Sequence, residues 1–291
     1  MALSEYLLYR HYFYNKSMLY VIIWNGIVVL IICAICLFII DFVLHLSYFK
    51  NIYGIDLFPD NKLVIIAFLI YSFTAHTVIN LIMLFRRRVG RGLVNNLLFG
   101  AYIKPIPEHR AFMFVDMQSS TMIAERIGHL SYSSFIQDCF KDLSELLLEY
   151  DAQVYQFVGD EAVITWKVDS DFSRQKCITM YFAFIMALTK KKDYYEQNYG
   201  IQPHFKAALN EGLVVAAEVG EIKTEIAYHG EVLHIAARLQ SLCKHYGYDL
   251  LLTSDIYSNL SDQETYKFTQ VENIVLRGKT KGITVYGVTT K

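Results

Sequence analysis

The sequence predicts an α+β domain of ferredoxin-like topology preceded by a two-span α-helical transmembrane region. Three observations carry this. Short apolar runs of strand length alternate with longer amphipathic stretches in the order strand, helix, hairpin, helix, strand. Two of those runs end on an aspartate, and the first hundred or so residues are mostly apolar. In a chain of 291 residues, one domain of ordinary size accounts for the rest.

In chain order, residues 1–17 carry Tyr6, Leu7, Tyr9, Tyr12, Phe13 and Tyr14, which suit an interfacial helix, and lack the pattern of a cleaved signal peptide. Residues 18–85 read as two transmembrane helices. From Met18 to Phe49 the first charge is Asp41, and Leu63 to Phe85 holds none, so both stretches exceed the roughly 20 residues that cross a bilayer. Arg86, Arg87, Arg88 and Arg91 follow the second stretch and predict that both termini and the domain beyond are cytoplasmic. The expected placement is therefore multi-pass, in a bacterial inner membrane, with the lipid bilayer as a partner. Residues 86–107 form a linker, broken by Gly90, Gly92, Gly100, Pro105 and Pro107, with at most a short helix around Leu93 to Tyr102.

Within residues 108–291 the expected order is a strand over Arg110 to Val115, a helix over Ser133 to Tyr150, and a hairpin of Gln153 to Val158 with Ala162 to Lys167. There follow a helix over Phe172 to Asn198, a hairpin of His204 to Asn210 with Leu213 to Val219, a helix over Leu233 to Tyr246, and short strands. Phe135, Ile136, Cys139, Phe140, Leu143, Leu146 and Leu147 give the first helix a core face.

Asp116 ends the run Phe112-Met113-Phe114-Val115, and Asp160 follows Val154-Tyr155-Gln156-Phe157-Val158-Gly159. Carboxylates emerging at strand ends are held rigid by the sheet and suit Mg²⁺ or Mn²⁺, two per site, together with substrate phosphates. Gly-Asp is also an ordinary hairpin pair, so Asp160 by itself signals little.

At these residues the chain resembles the catalytic domain of the class III nucleotidyl cyclases. Val115-Asp116-Met117-Gln118-Ser119-Ser120-Thr121 is similar to that family's first metal motif, and Gly159-Asp160-Glu161 to its second. Gly230-Glu231-Val232-Leu233-His234-Ile235-Ala236-Ala237-Arg238 follows its Gly-x-x-Val-Asn-x-Ala-x-Arg helix, and Leu276-Arg277-Gly278-Lys279 its late phosphate-binding strand. The order holds from Glu108 to Lys291, which is more specific than any one motif.

The resemblance implies a palm-like sheet and cyclisation of a nucleoside triphosphate, ATP favoured, with release of pyrophosphate. It assigns Asp116, Asp160 and the Met117 carbonyl to metal; Gln118, Ser119, Ser120 and Thr121 to phosphate at a helix start; Arg238 to the α-phosphate; and Lys279 to the outer phosphates. Arg277 and Lys281 alternate with Lys279 and could share its face. His234 stands where the family has a ribose-orienting Asn, and it adds titration, so activity is expected to vary between about pH 6 and 7.5.

Gln156 and Ala227 occupy the two base-selecting positions but match neither the adenylyl nor the guanylyl pattern; an amide can face either purine or a pyrimidine. A guanylate or pyrimidine cyclase, or a nucleotide-binding relative without turnover, therefore stays open. The family's shared sites imply a head-to-tail homodimer.

Formal net charge of −1 gives no basic field for nucleic acid. Five cysteines without paired spacing read as reduced, and Cys33-Ala34-Ile35-Cys36 as helix packing. Asp41, His45 and His76 lie in the apolar region. Haem ligation by His45 and His76 is the less favoured reading, behind interfacial or carbonyl contacts.

Overall fold

The computed structural model describes residues 24, 26–33, 35, 62–89, 101–221, 224–274 and 282–291. The chain divides into two compact units, Met1–Val94 and Asn95–Lys291.

In the first unit, residues 26–33 are helical, and helix α1 spans Lys62–Val89. Gly26 lies against the Phe73 ring, where an added Cβ would come within 3.0 Å of it. Among the described residues no helix is long and apolar enough to cross a membrane. This overturns the predicted multi-pass placement in a bacterial inner membrane, and it leaves the two-span transmembrane region and the bilayer as partner without support among the described residues. The stretch from Leu63 to Phe85 is uncharged, but uncharged is not uniformly apolar. Ser72, Thr74, His76 and Thr77 sit in its middle, and the Thr74 and Thr77 hydroxyls donate to the carbonyls of Ile70 and Phe73. The predicted interfacial helix over 1–17, most of 18–49 with Asp41 and His45, and nearly all of the predicted linker helix lie outside the described residues.

The second unit opens with strand β1 (Ile106–Met117), helices α2 (Ser120–Ile127) and α3 (His129–Leu146), and the hairpin β2 (Gln153–Val158) and β3 (Glu161–Lys167). Helices α4 (Arg174–Lys190) and α5 (Lys192–Tyr199) lead to β4 (Phe205–Val219) and β5 (Glu225–His229). Helix α6 (Glu231–Tyr246), β6 (Leu250–Thr253), the short α7 (Ser254–Ser258), β7 (Tyr266–Ile274) and β8 (Ile283–Thr290) complete it. The sheet runs β2-β3-β1-β4-β6-β8-β7, and β5 pairs with the far half of β4. Among the described residues only the β4–β6 pairing is parallel, because helix α6 carries the chain across between them. The portion from β1 to β4 is the expected βαββαβ, α+β ferredoxin-like arrangement.

Strand β1 reads as a continuous apolar run because both of its faces are covered. Ala111, Met113, Val115 and Met117 join the core with Phe135, Cys139 and Leu143 of α3 and Tyr181 and Phe184 of α4. Phe112 and Phe114 point the other way, to Val232 and Ala236 of α6. Each buried Phe contributes on the order of 2–3 kcal/mol. By the same alternation Asp116 emerges on the α6 face.

Two local expectations are corrected. The first helix begins at Ser120 rather than Ser133 and is divided at Gly128, whose φ of 79° lies in the left-handed region that favours glycine. Glu211-Gly212, expected as the turn between two hairpin strands, is the middle of one continuous strand. The Asn210 amide donates to the Val232 carbonyl and its oxygen accepts from Thr253; Glu211 takes two hydrogen bonds from Arg174. Gly212 is there for close packing, since a Cβ would meet Val232 at 2.8 Å.

Candidate active site

Three strands and two helices converge at the C-terminal end of β1. Asp116 stands directly opposite Glu161 on β3 and opposite Lys206 on β4. Asp160 precedes Glu161 in the two-residue hairpin between β2 and β3. Gly159 takes φ 61° there, the sign that a type II′ turn needs at its first position. Gly159 thus sets the hairpin that presents Asp160.

Among the described residues the electrostatics are those of an acidic cluster with no cation paired to Asp116. Burial first, then the Asp160 charge, raises the Asp116 carboxyl, against hydrogen bonds from Gln240 (3.2 Å) and the Met117 amide. Glu161 is pushed up to about 7, by burial first and then by Asp116 and Asp160. Lys206, the nearest candidate cation by register, turns instead to Asp249 at 3.5 Å, which His204 also contacts at 3.0 Å. The Tyr132 hydroxyl is buried beside Asp160 and Ser120 without a well-directed hydrogen bond, and burial followed by the Asp160 charge raises it to about 12.

Among the described residues no three or more His, Cys, Asp or Glu side chains are gathered as a metal site. The donor set is two carboxylates, Asp116 and Asp160, with the orphaned Tyr132 hydroxyl at their side. Hard oxygen donors in that number, whose charges oppose one another, fit Mg²⁺ or Mn²⁺ that take their other ligands from phosphate and water.

Ser119 caps α2 with φ 62°, a strained value for a serine. The Gln118 amide is committed to the His204 carbonyl at 2.9 Å. The amides of Ser120, Thr121 and Met122 open the helix and have no partner within it. Met117 ends β1, buried, opposite Phe205. On α6, His234 and Arg238 are exposed and share a face, whereas Gln240 is the residue of that helix that bonds Asp116. Gln156 is exposed on β2 and Ala227 half-buried on β5. Lys279, with Arg277 and Lys281, lies outside the described residues.

Sequence reasoning missed Glu161, Lys206, Gln240 and Tyr132. Glu161 and Lys206 become visible once β1, β3 and β4 are put in register. Gln240 and Tyr132 depend on how helices pack and leave no sequence signal.

The model of the adenylate and guanylate cyclase catalytic domain family matches residues 105–289. Adenylate cyclase 2 of Rhizobium meliloti is 30% identical over 76% of this chain, and adenylate cyclase of Anabaena cylindrica 23% identical over 60%. The matches span 61% and 36% of those proteins' own lengths, so this chain corresponds to part of each. Among solved structures, the adenylyl cyclase CyaB from P. aeruginosa aligns with a TM-score of 0.57 at 16% identity, covering 65% of this chain and 97% of that one. A bacterial light-regulated adenylyl cyclase aligns at 0.65 and 16% identity, covering 78% and 66%. These likenesses establish the fold, and with the family match over residues 105–289 the chain belongs to the family of adenylate and guanylate cyclase catalytic domains.

Proposed function

We propose that this chain is an adenylate cyclase that converts ATP into 3′,5′-cyclic AMP and pyrophosphate within a homodimer. The observation that carries the reading is the pair Asp116, at the end of β1, and Asp160, in the β2–β3 turn, whose charges oppose one another with no cation paired to Asp116 among the described residues. The choice of ATP follows the relatives named adenylate cyclase.

Asp116 and Asp160, with the Met117 carbonyl, would hold Mg²⁺ or Mn²⁺, two per site; bound there, the ions supply Lewis-acid neutralisation of the triphosphate and of the attacking oxygen. The remaining work falls to the chain. The amides of Ser119, Ser120 and Thr121, at or beside the start of α2, cradle phosphate oxygens, supported by the positive end of the helix. Gln118 contributes through its side chain, since its amide is occupied. Arg238 grips the α-phosphate with several donors while His234 orients the ribose. Lys279 meets the outer phosphates, and Gln156 and Ala227 face the base. Folding the substrate so that the 3′-hydroxyl lies in line with the α-phosphorus is the main catalytic task.

A dimer is required in this reading because Arg238 and His234 are exposed on the helix whose inward-reaching residue is Gln240. In a head-to-tail pair, each copy's exposed helix face completes the other's carboxylate end.

The test is mass spectrometry of products after incubation with ATP, GTP, CTP and UTP, each with Mg²⁺ and with Mn²⁺. Cyclic AMP from ATP alone, lost in Asp160→Ala, is the expected result. Another cyclic nucleotide would reassign the base, and nucleotide binding without any product would point to a non-catalytic signalling protein.

A further inference from the structure

We infer that Tyr155 and Tyr228 are positioning residues for base selection, because their ring contact fixes where Gln156 stands relative to Ala227. The inference rests on the cyclase reading above, in which those two residues face the base.

Identity alone does not write base choice at this site. The Gln156 amide offers both a donor and an acceptor, and Ala227 offers neither. Discrimination therefore depends on where the amide is held and how much room lies beside Ala227. The sheet does not fix that spacing directly. Strands β2 and β5 are separated by β3, β1 and β4, so no backbone ladder joins them.

Side chains make the bridge. Tyr155 precedes Gln156 and Tyr228 follows Ala227, and their rings meet edge to face at 5.1 Å and 66°. Both also pack on Phe112, at 6.2 and 5.5 Å. Tyr155 reaches this place through a β-bulge: Val154 pairs with Ile164 and Gln156 with Val163, leaving Tyr155 as the extra residue. A bulge re-aims a side chain, here towards β5. Tyr228 is held from its other side. The Arg110 guanidinium lies over its ring at 4.6 Å, and Arg110 bonds Glu108 at 2.7 Å and Thr165 at 3.2 Å. Tyr102 closes the network by donating to Glu108 at 2.8 Å. An anchored ring on β5 thus locates a bulged ring on β2, and with it the neighbouring amide.

The experiment compares kcat and KM for ATP and GTP in wild type, Tyr155→Ala, Tyr228→Ala, the double variant, and both Phe variants. The expected result is a change of about tenfold in the ATP:GTP ratio of kcat/KM in either Ala variant, carried mainly by KM. The double variant should match the singles, because one contact is broken either way. Tyr155→Phe and Tyr228→Phe keep the rings and should keep the ratio. A ratio within about twofold of wild type in both Ala variants overturns the inference whatever happens to overall rate or melting temperature, since a purely structural role lowers both nucleotides together. Should Tyr228→Ala fail to fold, the half-buried Tyr155 carries the same comparison. If wild type makes no product, the cyclase reading fails separately; displacement of a fluorescent ATP analogue by ATP and by GTP then reads the same ratio. Binding of neither nucleotide overturns both.

Discussion

Strand β1 carries a carboxylate near each end, and its surroundings treat the two in opposite ways. Glu108 is buried with Arg110, and although burial alone would raise its carboxyl, hydrogen bonds from Arg110 and Tyr102 bring it below the ordinary 4.5. Asp116, at the other end, is raised by burial and by Asp160, with no cation paired to it among the described residues. The helical layer repeats the first pattern: Asp142 accepts from Lys191 and, at 2.8 Å, from Tyr195, while Asp138 accepts from Tyr194 and Tyr199 at 2.7 and 2.6 Å. A buried acid that serves the fold is supplied with donors by the chain itself. In the proposed reading, the acid left with like charge beside it is the one that takes a metal ion.

The largest test of that contrast removes a carboxylate from the uncompensated end. Asp160→Ala should lower cyclic nucleotide production by about a thousandfold or more, as expected for several kcal/mol of lost charge stabilisation. Its melting temperature should hold or rise slightly, because like-charge repulsion is relieved. A large loss of stability would instead make Asp160 a structural turn residue.

Next comes the division of labour between copies. Asp116→Ala and Arg238→Ala should each be inactive alone, and mixing them should restore activity at least tenfold above either, measured after subunit exchange. No recovery would mean that each chain builds its own site.

At the compensated end, Glu108→Gln should destabilise by about 3 kcal/mol in denaturant titration, because it leaves the buried Arg110 without its partner. Glu108 has a folded pKa below its unfolded one. Its contribution is therefore fully present above about 4.5 and is lost as pH falls through the folded value. Wild-type stability should accordingly fall on acidification below about pH 4.5, and Glu108→Gln should flatten that limb. An unchanged limb would remove Glu108 from the account.

Smaller in effect, millimolar Mg²⁺ or Mn²⁺ with a non-hydrolysable ATP analogue should raise the melting temperature of wild type by about 3–5 °C and leave Asp116→Asn unmoved. Smallest is His234→Asn, which should retain most activity in a steady-state assay, because an amide can donate the same hydrogen bond to the ribose, while His234→Ala should raise KM for ATP by about tenfold. An unchanged KM in His234→Ala would make His234 a surface residue of α6.

What could be read in advance depended on locality. The β2–β3 hairpin was legible because Gly159 and Asp160 sit between two alternating runs and their turn chemistry acts within four residues. The same reasoning failed at Glu211-Gly212. The pair reads as a hairpin turn, yet Arg174 bonds Glu211 and Val232 packs against Gly212, contacts from distant parts of the chain that go with an extended strand. The uncharged stretch from Leu63 to Phe85 misled in another way, since counting charges ignored hydroxyl and imidazole groups along its middle.

The sequence by itself determined the α+β class, the strand-end aspartates and the motif order that places this chain among the cyclases, because each is written in residues close together or in fixed order. Tertiary structure decided which acids are compensated, which residues surround Asp116, and how Tyr155 and Tyr228 meet. Those facts depend on strand register and helix packing, where residues far apart in the chain come within a few ångströms, and charge and burial act through that distance alone.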